Sequence, residues 1–428
     1  MDIKAGTAHS SHFSVNWSNS ANCSSRSANA NNAALNLNAN NAGRGVTDTE
    51  ALAGLTLRLA VPAWPNGRIQ NGGVAGLVVI AKVRQHIIKI MKRYGNLKEK
   101  IITKENIELA YSRAKKGKTW QNTVQEVEAR KELALEEVRC MMADQTFSTA
   151  EYRCKKVYEP KEREIFILPF FPDRIVQHAL MAVIAPIWDR MFDPASHACR
   201  PGKGQHSASR LVMENVRRGG YCLQGDVRKF YPSISHDVAM NIVERKIKDR
   251  WGLWIMEDII RSFPGDRNIP IGNLTSQWIG NLVLNELDTY VRHTLKPAGY
   301  VRYNDDFLLF SHSKKALREF QDQIREFLNS SLKLTLSKDR VYPVSQGVDF
   351  VGYRHFAKYV LVRKSTARRV KKRISHLRWE INKGAVDAEK ARSVVSSTEG
   401  WLRWANAYNL RQAMHIDEIK EEIDGLCA

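Results

Sequence analysis

The spacing of apolar positions changes along the chain, and each change predicts an element. Between residues 96 and 142, Ile107, Leu109, Ala110, Val124, Val127, Leu133, Leu135 and Val138 recur at helical spacing among many charges, with a break near Lys115 to Thr119. Val157 to Pro169 reads instead as a hairpin with Pro160-Lys161-Glu162-Arg163 at its tip. Arg174 opens a helix within Phe171 to Leu180, and another helix runs from about Ser207 to Arg217. Tyr221 to Gly225 is a strand ending at Asp226. Helices follow over Ala239 to Ile247 and Leu253 to Phe263, and a third is capped by Thr275 or Ser276.

The run Val301 to Phe310 is apolar except at its centre, which predicts a hairpin turning at Asn304-Asp305. Leu317, Phe320, Ile324, Phe327 and Leu328 form the apolar face of a helix, and Leu332 to Leu336 reads as a strand. A last helix spans Thr366 to Lys383, with Val370, Ile374, Leu377 and Ile381 as its stripe and Arg369, Lys372, Arg373 and Arg378 around it. Strand, helix, hairpin, helix and strand in this order predict an α+β fold built on a split βαβ (ferredoxin-like) sheet.

Composition changes the picture at the N-terminus. Ten Asn lie between Asn16 and Asn41, mixed with Ser and Ala. So polar a stretch cannot bury enough apolar surface to offset its ordering entropy, which predicts disorder. Residues 51–90 carry no periodic pattern long enough to assign. A formal charge of +21 favours a polyanionic partner, nucleic acid by default, although a merely basic soluble protein has the same balance. The six cysteines are scattered without metal-ligand spacing, which fits a reducing cytoplasmic setting. The longest apolar run, Val74 to Val83, is broken by Lys82 and too short to span a bilayer, so no membrane is expected.

The chemistry concentrates in three aspartates. Asp305 and Asp306 at a hairpin tip repel each other unless a cation neutralises them, and Mg²⁺ accepts carboxylate oxygens. A solvated turn is the bland alternative for this pair alone. Asp226, ending a separate strand, adds a third carboxylate. One acid on a strand and two on a neighbouring hairpin suit two metal ions about 3.5–4 Å apart, the arrangement for phosphoryl transfer.

Tyr303-Asn304-Asp305-Asp306 resembles the Tyr-x-Asp-Asp box of reverse transcriptases, and Asp226 to Ile234 resembles their first palm motif. Ile269 to Gln277 looks like their second motif, and Phe350-Val351-Gly352-Tyr353 like their primer grip. The resemblance covers residues 91–412. It implies a right-hand polymerase, with fingers over 91–220, a palm over 221–358 and a helical thumb over 359–428. No RNase H or integrase domain is expected to follow.

The resemblance also implies roles. Asp226, Asp305 and Asp306, with the Val227 carbonyl, would bind two Mg²⁺, or Mn²⁺ in their place, and Lys338 would protonate the leaving pyrophosphate. Lys161, Arg163 and Arg174 would orient the dNTP, Tyr231 would act as a steric gate, and Ile271, Gly272 and Gln277 would meet the nascent base pair. Arg200 and Lys203, on a glycine-rich loop at a helix start, would contact template RNA. Gly352, Tyr353, Arg369, Lys372 and Arg373 would grip the cDNA primer–template duplex. Solvated turn charges are the alternative for Lys161 and Arg163, a plain loop for the stretch around Lys203, and Lys338 could equally be a surface charge.

Ile271-Gly272 and Ser276-Gln277 stand where most reverse transcriptases carry Gln-Gly and Ser-Pro. That replacement resembles the enzymes of diversity-generating retroelements, which miscopy adenines and work with a small basic accessory protein encoded nearby. The Asn-rich segment then reads as a translated template repeat, with residues 1–90 as upstream sequence and Met91 as a start. A retron-type or group II intron-type enzyme is the nearest alternative. A non-catalytic RNA-binding protein of phage defence is an alternative of another class.

Overall fold

The computed structural model describes residues 93–158 and 162–425. The Asn-rich segment, residues 51–90, Met91 and Lys161 lie outside the described residues. No helix among those described is long and apolar enough to cross a membrane.

Helices α1 (Lys104–Lys115), α2 (Asn122–Ala129) and α3 (Lys131–Ala143) form where the 3.6-residue spacing predicts them. Ile107, Ala110, Val124, Val127, Leu135 and Val138 are buried, whereas Leu109 and Leu133 are 44% and 70% exposed and do not belong to the apolar face expected of them. Strands β1 (Arg153–Val157) and β2 (Arg163–Ile167) pair antiparallel, so the hairpin is present with its first strand earlier than the spacing suggested. Helix α4 (Ile175–Asp189) follows Arg174 and packs on α1.

Helix α5 (Gln205–Arg217) precedes β3 (Tyr221–Val227), then come α6 (His236–Glu244), α7 (Arg250–Arg261) and α8 (Leu274–Tyr290). The cap of α8 is Asn273; Thr275 and Ser276 lie buried inside the first turn, with Ser276 Oγ donating to the Pro270 carbonyl at 2.7 Å. Strands β4 (Gly299–Tyr303) and β5 (Asp306–Ser311) form the central hairpin, and helix α9 (Lys314–Leu332) leads to β6 (Leu336–Pro343). The strand expected over Leu332 to Leu336 is displaced: Leu332 closes α9 and Leu334 is buried behind it, so the alternating leucines are a helix end and its connection.

The four strands pair in the order β4-β5-β3-β6, all antiparallel. With helices between β3 and β4 and between β5 and β6, this is the split βαβ arrangement within a mixed α+β fold. Alternation along the strands gives the sheet two buried faces. Leu223, Tyr300, Phe307 and Leu309 join the core of α8 and α9, while Cys222, Val301, Leu308 and Phe310 pack on Ala208, Val212 and Val216 of α5. Helix α5 thus belongs to the sheet's core, although the boundary at 220 assigns it to the preceding region.

A second sheet, β7 (Val348–Phe350), β8 (Tyr353–His355) and β9 (Val360–Val362), crosses the other expected boundary, since β9 pairs with β8. The helical region begins with α10 (Lys364–Asn382), continues with α11 (Ala388–Leu402) and ends with α12 (Ile416–Gly425). Ile374, Leu377 and Ile381 of α10 are buried with Val395, Leu402, Ile419 and Ile423, as the stripe predicts. Arg378, on the flank, is held by Glu418 and Glu422 of α12.

Candidate active site

The register of the sheet assembles the acids. Tyr303 pairs with Asp306, Asp306 with Asp226 and Asp226 with Lys338, which makes one row across all four strands. Residues paired this way share a face, with Cβ atoms about 4.5–5.5 Å apart, so Asp226 stands beside Asp306 despite the 79 positions between them. Asn304 takes the left-handed conformation (φ 54°) and Asp305 completes the turn, its carbonyl accepting from Val227 N at 3.3 Å. Asp226, Asp305 and Asp306 are all half-buried.

This crowding shows in protonation. The Asp306 carboxyl is pushed up to about 7, first by burial, then by the negative charges of Asp305 and Asp226 and a hydrogen bond shared with Asp226. Arg363, just before α10, pulls the other way. The register shifts between Asp226 and Val227, leaving Ser337 as an extra residue on β6. Such bulges re-aim side chains beside functional sites; here Ser337 Oγ donates to Asp226 Oδ2 and to the Asp226 carbonyl.

Among the described residues no three His, Cys, Asp or Glu side chains are already set as a ligand group. Asp226 is turned toward Ser337 and Asp306. The donor chemistry nonetheless fits a hard divalent cation, because the backbone sets three carboxylates at adjacent positions and repulsion between them favours any cation that draws them together.

Of the residues expected to meet the nucleotide, Tyr231 is linked to the acids through the charge of Asp305. Tyr231, on a short turn of helix over Phe230–Ser233, is half-buried, and burial followed by the charges of Cys199 and Asp305 drives its phenol pKa well up. Its ring rests on Gly280 of α8, where a Cβ would lie 3.0 Å from Tyr231 Cε1. Gln277 is half-buried one turn earlier on the same helix. The Ile271 carbonyl accepts from Phe166 N at 2.9 Å, and Gly272 (φ 125°) sits where a Cβ would be 2.8 Å from the Phe166 carbonyl oxygen. The second motif is therefore sewn to β2, whose first residue is Arg163. Arg174 is half-buried, and burial lowers its pKa.

Four residues expected to touch nucleic acid are spent inside the protein. Arg200, its side chain 7% exposed, pairs with Asp189 at 2.6 Å and donates to the carbonyls of Asp189, Asp193 and Ser196. Lys203 Nζ donates to the carbonyls of Pro194 and Ser196. These two cations brace their own loop, because a loop has backbone carbonyls to satisfy and the nearest cations satisfy them. Tyr353 is fully buried, stacked on Trp401 with centroids 4.4 Å apart, and its hydroxyl donates to the Trp401 carbonyl. A Cβ on Gly352 would meet the same Trp401 ring at 2.2 Å. The Gly352-Tyr353 pair is thus a joint between the second sheet and α11. On α10, Arg369 and Lys372 are exposed, whereas Arg373 is half-buried with its pKa lowered by burial.

Sequence reasoning missed Ser337 and Arg363, which look like ordinary polar positions until pairing places them. It also missed Arg302. That residue lies one position before the row, on the opposite face, and is wholly buried against Asp288.

The acidic row falls within residues 155–355, which match the family model described as reverse transcriptase (RNA-dependent DNA polymerase). This region of the chain is similar to reverse transcriptases. The chain is 28% identical to the protein YkfC of Escherichia coli over 47% of its own length and 66% of that protein's. It is 22% identical to the group II intron-encoded protein LtrA of Lactococcus lactis over 44% of its length and 43% of that protein's. The chain thus spans less than two thirds of these relatives. Among solved structures, apo telomerase from Candida tropicalis superposes with a TM-score of 0.38 at 10% identity, covering 53% of this chain and 59% of that one.

Proposed function

We propose that the chain is an RNA-directed DNA polymerase that copies template RNA into cDNA. The observation that carries this reading is the row Asp306, Asp226, Lys338 with Asp305 in the adjoining turn. Asp226, Asp305 and Asp306, with the Val227 carbonyl, would hold two Mg²⁺, with Mn²⁺ as a substitute. Bound there, the ions lower the pKa of the primer 3′-OH and neutralise charge on the pyrophosphate. Lys338, paired with Asp226 in the same row, would hand a proton to the leaving group. Lys161, Arg163 and Arg174 orient the triphosphate. Tyr231, supported from beneath by Gly280, excludes a ribose 2′-OH, and the exposed cations of α10 follow the duplex backbone. In this reading the hairpin β1–β2 with α1–α4 makes the fingers, the four-stranded sheet the palm, and the helices from Lys364 the thumb. Asp305→Asn tests it: primer extension on an RNA template should fall at least about 1,000-fold while duplex binding persists, and retained synthesis would refute the assignment.

Within this class the motif Ile271-Gly272 with Ser276-Gln277 supports the diversity-generating retroelement type. An aliphatic Ile271 offers no hydrogen bonds to the nascent pair, so discrimination weakens, and errors concentrate at template adenines. An accessory protein and a template repeat overlapping residues 1–90 belong to the same reading. The likeness to LtrA favours a second one, a group II intron-type enzyme. Sequencing the cDNA made from a defined RNA separates them, since adenine-biased errors support the first and uniformly accurate copying the second.

A further inference from the structure

Arg302 is the penultimate residue of β4, with its side chain on the face away from the acidic row, and both it and Asp288 of α8 are 0% exposed. Its guanidinium is bidentate on that carboxylate, Nη2 to Oδ2 at 2.6 Å and Nε to Oδ1 at 2.7 Å, and the Tyr300 hydroxyl donates to the same Oδ1. The remaining donors reach two other segments and a second residue of α8. Nη2 donates to Ser196 Oγ at 2.9 Å, and Nη1 to Asn281 Oδ1 at 3.2 Å and to the Asn304 carbonyl at 3.0 Å. Asn281 in turn donates to the Ala198 carbonyl.

Stability alone does not account for this arrangement, because apolar residues of similar volume are often as stable as a buried ion pair. An apolar side chain could not, however, fix the carbonyl of Asn304. That residue carries the left-handed conformation of the turn and immediately precedes Asp305. The same guanidinium is tied to α8 one residue past Gly280, the glycine on which Tyr231 rests. One fork therefore spans the carboxylate turn, the helix under the nucleotide side and the loop at Ser196.

We infer that Arg302, seated by Asp288, is a positioning residue that locks the Asn304-Asp305 turn to α8 and so sets the acids for catalysis. The inference rests on the polymerase reading, and its test separates the two. Arg302→Lys keeps the charge opposite Asp288 and removes the reach to Asn304. In the full chain it should lower kcat of RNA-templated primer extension about 100-fold, as expected for a misplaced catalytic group, with KM for dNTP changed less than about 3-fold. The Mg²⁺ concentration for half-maximal rate should rise about 10-fold, and duplex affinity should hold. Ser196→Ala removes one Nη2 bond and leaves the Asn304 contact, so it should lower the melting temperature yet keep kcat and Mg²⁺ dependence within about 2-fold. If Arg302→Lys does not fold, Asn281→Ser carries the test: it takes one acceptor from Nη1, spares the Asp288 pair, and should cost about 10-fold in kcat. Wild-type kcat and Mg²⁺ dependence in the variant used would overturn the inference, as would a Ser196→Ala loss of the same size. If the wild type itself makes no DNA, the polymerase reading fails; the Mg²⁺-induced melting shift then decides for positioning if Arg302→Lys loses it and against if it keeps it.

Discussion

On one face of the four-stranded sheet Arg302 and Asp288 are wholly buried and neutralise each other with every bond short. On the other face, one residue along the same strand, begins the row in which Asp226 and Asp306 stand as half-buried neighbours of like sign. The first site is charge burial completed within the protein. The second is charge burial left incomplete, with Asp306 held at about 7 by burial and by the negative charge of Asp305 and Asp226. A chain that merely needed to fold would avoid the second arrangement; a chain that binds divalent cations has to carry it.

Substitutions on the two faces should therefore have opposite signs. Asp306→Asn is expected to cost at least about 1,000-fold in primer extension and yet to raise the metal-free melting midpoint by about 2 °C, measurable by differential scanning fluorimetry. Asp288→Ala leaves Arg302 charged and unpaired, and should lower stability by about 3–5 kcal/mol in denaturant titration. An unchanged midpoint in both variants would erase the comparison.

A pH series sharpens it further. Because the folded pKa of Asp306 is raised, its contribution to stability is fully present below about pH 4 and is lost as pH climbs through about 7 in the absence of metal. Under the proposed reading Mg²⁺ would hold the ionised form, so the Mg²⁺-induced rise in melting temperature should be larger at about pH 8 than at about pH 5.5, by about 2 °C or more. Asp306→Asn should flatten that difference. The smallest effect belongs to the solvated cations of α10: Arg369→Ala with Lys372→Ala should reduce the slope of log affinity for duplex against log salt by about 1.5, measured by fluorescence anisotropy.

The sequence made the acidic corner legible because a hairpin has a strict period of two and a short list of turn residues. Asn304-Asp305 marks the turn, and the register then places Asp306 without further information. Other residues were opaque for equally physical reasons. A basic glycine loop reads the same whether Arg200 and Lys203 face a partner or their own carbonyls, since the sequence does not record where unsatisfied carbonyls lie. Tyr353 in an aromatic motif reads the same as a contact or as a joint against Trp401. Leu332, Leu334 and Leu336 alternate like a strand, but α9 still has an apolar stripe to finish at Leu332, and burial against the core decides the matter. Arg302 was hidden because its partner Asp288 sits in another element, which pairing by sequence cannot supply.

Single-turnover extension of a primer on a defined RNA template, comparing the wild-type chain with Asp226→Asn across a Mg²⁺ titration, tests the central claim most directly. Asp226 is the acid supplied from a separate strand, so its effect shows whether the row acts as one site. The account predicts templated, Mg²⁺-dependent DNA synthesis by the wild type and a loss of at least about 1,000-fold in the variant with duplex binding intact. Synthesis by Asp226→Asn at the wild-type rate, or incorporation that ignores the template, would contradict it.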